Sequence, residues 1–300
     1  MRIDGSGAER FLDYLDGRVG AAAVLAHPAY QAVVAHAARA GQTIGPAELD
    51  AARAGAPSPF YGLVHARERL PEIRDLLAAL PAQAPPWLAD AAEALHAVAP
   101  DAGLDPLVVY PIVGYDMGIG LRDIVCLNLN CAAYLADPAA FWYFLIHEAC
   151  HCLYERTHAI PPLAAIRMPA DWRAYFHLWV HNEGFATYAP LALRVARGGV
   201  HDMFGDYAVL GDAAALRAHV AAFRATEAAL ADPAPRDRDS YLALVFGPPR
   251  LAYRVGCGLI RAVARQHGAA AVPRAFGRGA DAFLAEYGAL LDAVPAGAPA

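Results

Sequence analysis

A chain of 300 residues in which 57% are hydrophobic and 18% charged carries enough apolar mass for one large domain or two modest ones, which argues against a disordered or fibrous protein. The net charge is −6 and all 24 basic residues are dispersed arginines, so there is no basic stripe and nucleic acid is excluded as an expected partner. No apolar run approaches the roughly 18 residues of a spanning helix, and Met1 to Asp16 is too mixed for a greasy leader, so the expectation is a cytoplasmic protein with no membrane partner.

From Ala8 to about Ala99 helical patterns alternate with breakers. Phe11 to Leu25, Ala29 to Arg39 after His27-Pro28, and Pro46 to Arg53 form one group. Arg67 to Leu80 and Trp87 to Val98 form a second, separated by a proline-rich loop over Pro81 to Pro86. Residues 1–100 are therefore expected to be a helical segment packed on a catalytic domain spanning 101–300. Between Leu107 and Asn130 the character changes to β-branched and aromatic runs, Val108 to Val113 and Ile124 to Asn130, broken by Gly114, Gly118 and Gly120. These read as strands.

Asp137-Pro138 combines a capping side chain with proline at the first helical position, and predicts a helix to about Thr157. After Pro161, Pro162 and Pro169, another helix is expected from Asp171 to Arg197, kinked or broken at Pro190 and ended by Gly198-Gly199. Ala213 to Leu230, Leu251 to His267 and Asp281 to Leu291 complete the helical C-terminal part, with Asp232 to Ser240 as a charged loop. The fold class is thus α+β, mostly α, with a small sheet ahead of the Asp137 helix. Five cysteines (126, 131, 150, 152 and 257) form no CxxC pair and leave one over, which excludes a disulfide scaffold or a thiolate metal site. Cys150 and Cys152, two apart on a helix, point to different sides and read as packing residues.

One pentapeptide in that helix carries chemistry. His147-Glu148-Ala149-Cys150-His151 is an HExxH sequence; with 12 histidines and 10 glutamates in 300 residues, roughly 0.02 chance matches are expected. Residues four apart share a helix face, so His147 and His151 can grip one metal ion while Glu148 projects beside its water as a general base. A catalytic zinc takes three protein ligands and leaves one open position, which requires a further donor. Glu183, on a second helix beside the small residues Gly184 and Ala186, is the leading candidate. His158 is a rival, but the sixth position after His151 is Thr157 and the third is Tyr154, which breaks the HExxHxxGxxH spacing. His177, His181 and Glu155 are the other possible donors, and His177 and His181 read equally well as partly buried polar residues.

HExxH followed by Leu178-Trp179-Val180-His181-Asn182-Glu183-Gly184-Phe185-Ala186 resembles the gluzincins, most closely the aminopeptidase N family, whose third-ligand helix reads near W-L-N-E-G-F-A. The resemblance implies a thermolysin-like zincin domain, zinc ligands His147, His151 and Glu183, and Glu148 as base. It also implies a tyrosine in a Y-x-x-G motif opening a later helix that hydrogen-bonds the oxyanion; Tyr253-Arg254-Val255-Gly256 matches, with Tyr241 as fallback. The likeness spans about Val108 to Gly268 and is specific at the two ligand helices. The chain departs from that family in a longer His151 to Glu183 gap and in lacking G-A-M-E-N, for which Gly114-Tyr115-Asp116-Met117-Gly118 is the nearest passage and has no glutamate. Aminopeptidase specificity is therefore not implied.

The expected chemistry is hydrolysis of a peptide bond, with Ile124 to Asn130 either the substrate-pairing edge strand or an ordinary core strand. The alternatives are hydrolysis of a non-peptide small molecule and zinc binding without turnover. An intact Glu148 argues against the last, because a purely structural site has no use for a base there.

Overall fold

In the computed structural model of the chain the described residues are 1–56, 60, 63–198, 202 and 204–293, apart from the Val64 side chain. They are mostly helical, with one small four-stranded sheet, as the residue patterns predict. They group into two compact units, Met1–Glu93 with Ala102–Glu155, and Ala94–Asp101 with Arg156–Ala300. No helix among the described residues is long and apolar enough to cross a membrane.

The first unit opens with a strand that was not foreseen, β1 (Arg2–Ile3). The helix expected over Phe11 to Leu25 is two, α1 (Ser6–Leu15) and α2 (Ala21–Leu25), because Gly17 takes a left-handed φ of +78° just past the last turn of α1. Then follow α3 (Pro28–Arg39), α4 (Pro46–Arg53), a 3-10 turn at Leu63–His65 and α5 (Leu70–Val98), whose residues from Ala94 onward belong to the second unit. The loop expected at Pro81 to Pro86 is a correction: α5 runs straight through all three prolines. Each proline removes a donor from a carbonyl four residues earlier, at a cost near 3 kcal/mol. Burial offsets it. Ile73, Leu76, Leu80, Ala84 and Ala91 form one buried stripe in unbroken helical phase. Trp87 stacks on Trp142 at 5.7 Å, and the Trp142 indole donates to Gln83 at 3.2 Å.

Next come β2 (Val108–Ile112), β3 (Gly118–Leu121) and β4 (Ile124–Asn128), forming a sheet in the order β1-β2-β4-β3. β1 and β4 run parallel to β2; β3 runs antiparallel to β4, with Gly118 opposite Leu127 and Gly120 opposite Val125. One expectation is corrected here. The glycines at 118 and 120 lie within a strand and do not break one. Of the two readings of the stretch from Ile124, the core strand is the one found: it is paired on both sides, and the sheet's edges are β1 and β3. A short α6 (Ala132–Ala136) leads into α7 (Pro138–Thr157), capped as expected by Asp137, which accepts the Ala139 N–H at 3.0 Å.

The second unit is built on α8 (Pro169–Tyr188), preceded by a 3-10 turn at Leu163–Ala165 and separated from α9 (Leu191–Ala196) at Pro190, the expected break. Gly199, expected to end this stretch, lies outside the described residues. Then come α10 (Asp206–Gly211), α11 (Ala213–Ala231), α12 (Arg238–Phe246), α13 (Leu251–His267), α14 (Ala271–Phe276) and α15 (Ala280–Tyr287), with a closing 3-10 turn at Gly288–Leu291. The charged loop expected to reach Ser240 ends sooner, because Asp237 accepts the Ser240 N–H at 2.8 Å and starts α12.

Candidate metal centre

The i,i+4 spacing in α7 brings the two histidine rings to one face. Their Nε2 atoms are 3.1 Å apart, with the ring planes at 83°, so both nitrogens converge on a common point. One turn further on, Glu155 is held by the Arg39 guanidinium of α3 and accepts the Arg122 N–H at 3.2 Å. That weighed donor is therefore committed elsewhere.

Glu148 owes its place to β3. Successive side chains of a strand alternate faces, so Gly118 and Gly120 share one, and that face lies against α7. A Cβ on Gly118 would sit 2.8 Å from Glu148 Oε1, and one on Gly120 would sit 2.1 Å from the Glu148 carbonyl oxygen and 2.9 Å from His151 Cβ. The strand approaches so closely only because both residues lack a side chain. On α3, half-buried His36 bonds through Nδ1 to the Tyr115 hydroxyl at 2.9 Å. Burial, helped by the Arg39 and His151 charges, pushes its pKa down to about 4. Tyr115 itself sits in a left-handed conformation, φ +72°, in the turn between β2 and β3.

In the second unit α8 starts where Asp171 accepts the N–H groups of Arg167 and Met168, at 3.1 and 2.9 Å. Glu183 lies in its last turns, beside the point where α8 crosses α13. There Gly184 meets Gly256: a Cβ on Gly184 would be 2.7 Å from Gly256 Cα, and one on Gly256 would be 2.2 Å from the Val180 carbonyl oxygen. The close helix packing expected of Gly184 is thus present. Tyr253, one turn before Gly256, donates its hydroxyl to Glu183 Oε1 at 3.0 Å. Ligating carboxylates are ordinarily held by such an outer hydrogen bond.

The other weighed residues are placed elsewhere. His158 Nε2 bonds the Phe276 carbonyl at 2.7 Å. His181, fully buried, bonds the Ala275 carbonyl at 3.0 Å, and its burial lowers its pKa to about 3. His177 lies between Asp281 on Nδ1 and Glu227 on Nε2. Tyr241 stacks flat on Trp172 at 5.0 Å and takes the Arg236 N–H on its hydroxyl.

His147, His151 and Glu183 each offer one ligand atom, and these atoms all lie within 4.8 Å of one another, a group that could hold a metal ion. The donor set suits zinc. Ligands about 2.0 to 2.2 Å from one ion on tetrahedral corners stand about 3.3 Å apart, close to the 3.1 Å between the two imidazole nitrogens. Residue reasoning missed the two β3 glycines, although two glycines spaced by one within a β-branched stretch are a signal of close backbone approach. Comparison of the chain with protein-family models, with curated proteins and with solved structures returned no match.

Proposed function

We propose that the protein is a zinc-dependent hydrolase of the gluzincin kind whose substrate is a peptide. The observation that carries this is the grouping of two imidazoles and one carboxylate within 4.8 Å, with Glu148 next to His147 in the same helix. Zinc at this group would supply Lewis acidity that brings the pKa of water from 15.7 to about 7. Glu148 takes the proton of the attacking water and delivers it to the leaving amine. The Tyr253 hydroxyl, which donates to Glu183 Oε1 at 3.0 Å before substrate binds, is the candidate group to turn its proton toward the carbonyl oxygen as that becomes negative. β3, the last strand of the sheet and the one that touches Glu148, offers its backbone to an extended substrate. Five buried free thiols accord with a reducing, cytoplasmic setting.

The test is Glu148→Gln, with zinc content and cleavage of a peptide library measured together. The variant should keep its metal and lose turnover by about 100- to 10,000-fold. Undiminished cleavage would refute the role of Glu148. A protein that binds zinc yet cleaves no peptide would point to the small-molecule or non-catalytic alternatives.

A further inference from the structure

Tyr253 is itself held by a second layer of side chains. Arg250, the residue before α13, adopts a left-handed φ of +48°, a conformation that a residue with a side chain keeps only where its surroundings enforce it. The surroundings are specific. Its guanidinium lies over the Tyr253 ring, 3.7 Å from the centroid, and against the Phe204 ring at 4.1 Å. Asp206, buried on α10, clamps the edge of that plane: it accepts Arg250 Nε at 3.0 and 3.1 Å and Nη2 at 2.8 Å. The same carboxylate accepts Arg254 Nε at 2.9 Å. A flat cation pinned on its edge and packed against two aromatic rings leaves the phenol ring little room to turn. The chain of contacts ends on Glu183 Oε1, 3.0 Å from the Tyr253 hydroxyl.

We propose that Asp206 and Arg250 are positioning residues for Glu183, acting through Tyr253, so that the strained entry to α13 sets the orientation of a metal-binding carboxylate on α8. This rests on the reading of Glu183 as a ligand. A carboxylate that loses its outer partner turns more freely, and loss of such partners typically weakens metal affinity 10- to 100-fold.

The full-length protein, stripped of metal by chelation, is titrated with zinc against a chromophoric chelator, and the visible spectrum of its cobalt(II) form is recorded. Arg250→Lys keeps the charge facing Asp206 but loses the bidentate, stacked plane, so it is the milder probe of the clamp. It and Tyr253→Phe should each weaken zinc binding about 10-fold. The double variant should be no weaker than either single one, because both act along one chain of contacts. Both should shift the cobalt spectrum alike. Arg261→Lys, another α13 arginine, which donates to the Leu210 carbonyl at 2.8 Å, should change neither. If Glu183→Gln weakens zinc while Arg250→Lys binds it as wild type does with an unaltered cobalt spectrum, the clamp is only structural and the proposal is overturned. If Glu183→Gln itself binds zinc as tightly as wild type, the ligand assignment falls first and the positioning role with it.

Discussion

In the unit that holds the histidines, Gly118 and Gly120 let a strand lie on α7; in the unit that holds Glu183, Gly184 and Gly256 let two helices touch backbone to backbone. In the first pair Gly118 clears space for a side chain, since what a Cβ there would meet is the tip of Glu148, whereas a Cβ on Gly120 would meet the backbone of α7. The second pair clears space for the scaffold, since what a Cβ on Gly256 would meet is the Val180 carbonyl. A flexible carboxylate can yield to an intruding methyl group, and a helix backbone cannot. Equal-sized substitutions at Gly118 and Gly256 should therefore damage different properties.

The largest effect is expected from Gly118→Ala. The new methyl group displaces the Glu148 carboxylate, and a misplacement near 1 Å in a reacting group can cost about 100-fold in rate. Zinc content and unfolding midpoint should stay near wild type. If the proposed peptide cleavage is present in the wild type and undiminished in this variant, Glu148 does not depend on β3.

Gly256→Ala should do the reverse, lowering stability by about 1 to 3 kcal/mol in denaturant titrations, as overpacking against a rigid neighbour does. Cys257, buried beside the crossing, gives a local readout. Its labelling by a thiol reagent, followed by mass spectrometry, should accelerate while Cys126 in the other unit keeps its protection. Equal acceleration at both thiols would mean that the damage is not confined to the crossing.

A smaller effect separates the halves by pH. His36 and His181 are held neutral, with pKa values of about 4 and about 3, below the ordinary value near 6.5. As pH falls below 6.5 the unfolded chain takes up these protons and the folded chain does not. Their contribution to stability is therefore complete above about pH 6.5 and is lost on acidification toward pH 4, by about 1.4 kcal/mol per pH unit for each histidine. His36→Asn should reduce the slope of stability against pH by that amount and leave the part due to His181. An unchanged slope would show that His36 is not held neutral.

Local patterns reached far in this chain wherever neighbours in sequence are neighbours in space. The HExxH spacing by itself puts two imidazoles on one face of α7, Asp137-Pro138 starts that helix, and Pro190 ends α8, because a helix repeats every 3.6 residues and its caps are local hydrogen bonds. The proline-interrupted α5 was legible only in part: its buried stripe keeps helical phase through Pro81 to Pro86, but the gain that outweighs three missing donors comes from Trp142, more than fifty residues away. Tertiary structure alone decided that β4 is interior and β3 an edge, that Gly118 and Gly120 seat Glu148, and that Arg250 and Asp206 grip the tyrosine on Glu183. Each of these depends on how segments distant in sequence pack. Residue spacing records what a helix or strand does to its own side chains and carries no signal of which backbone will come to lie against them.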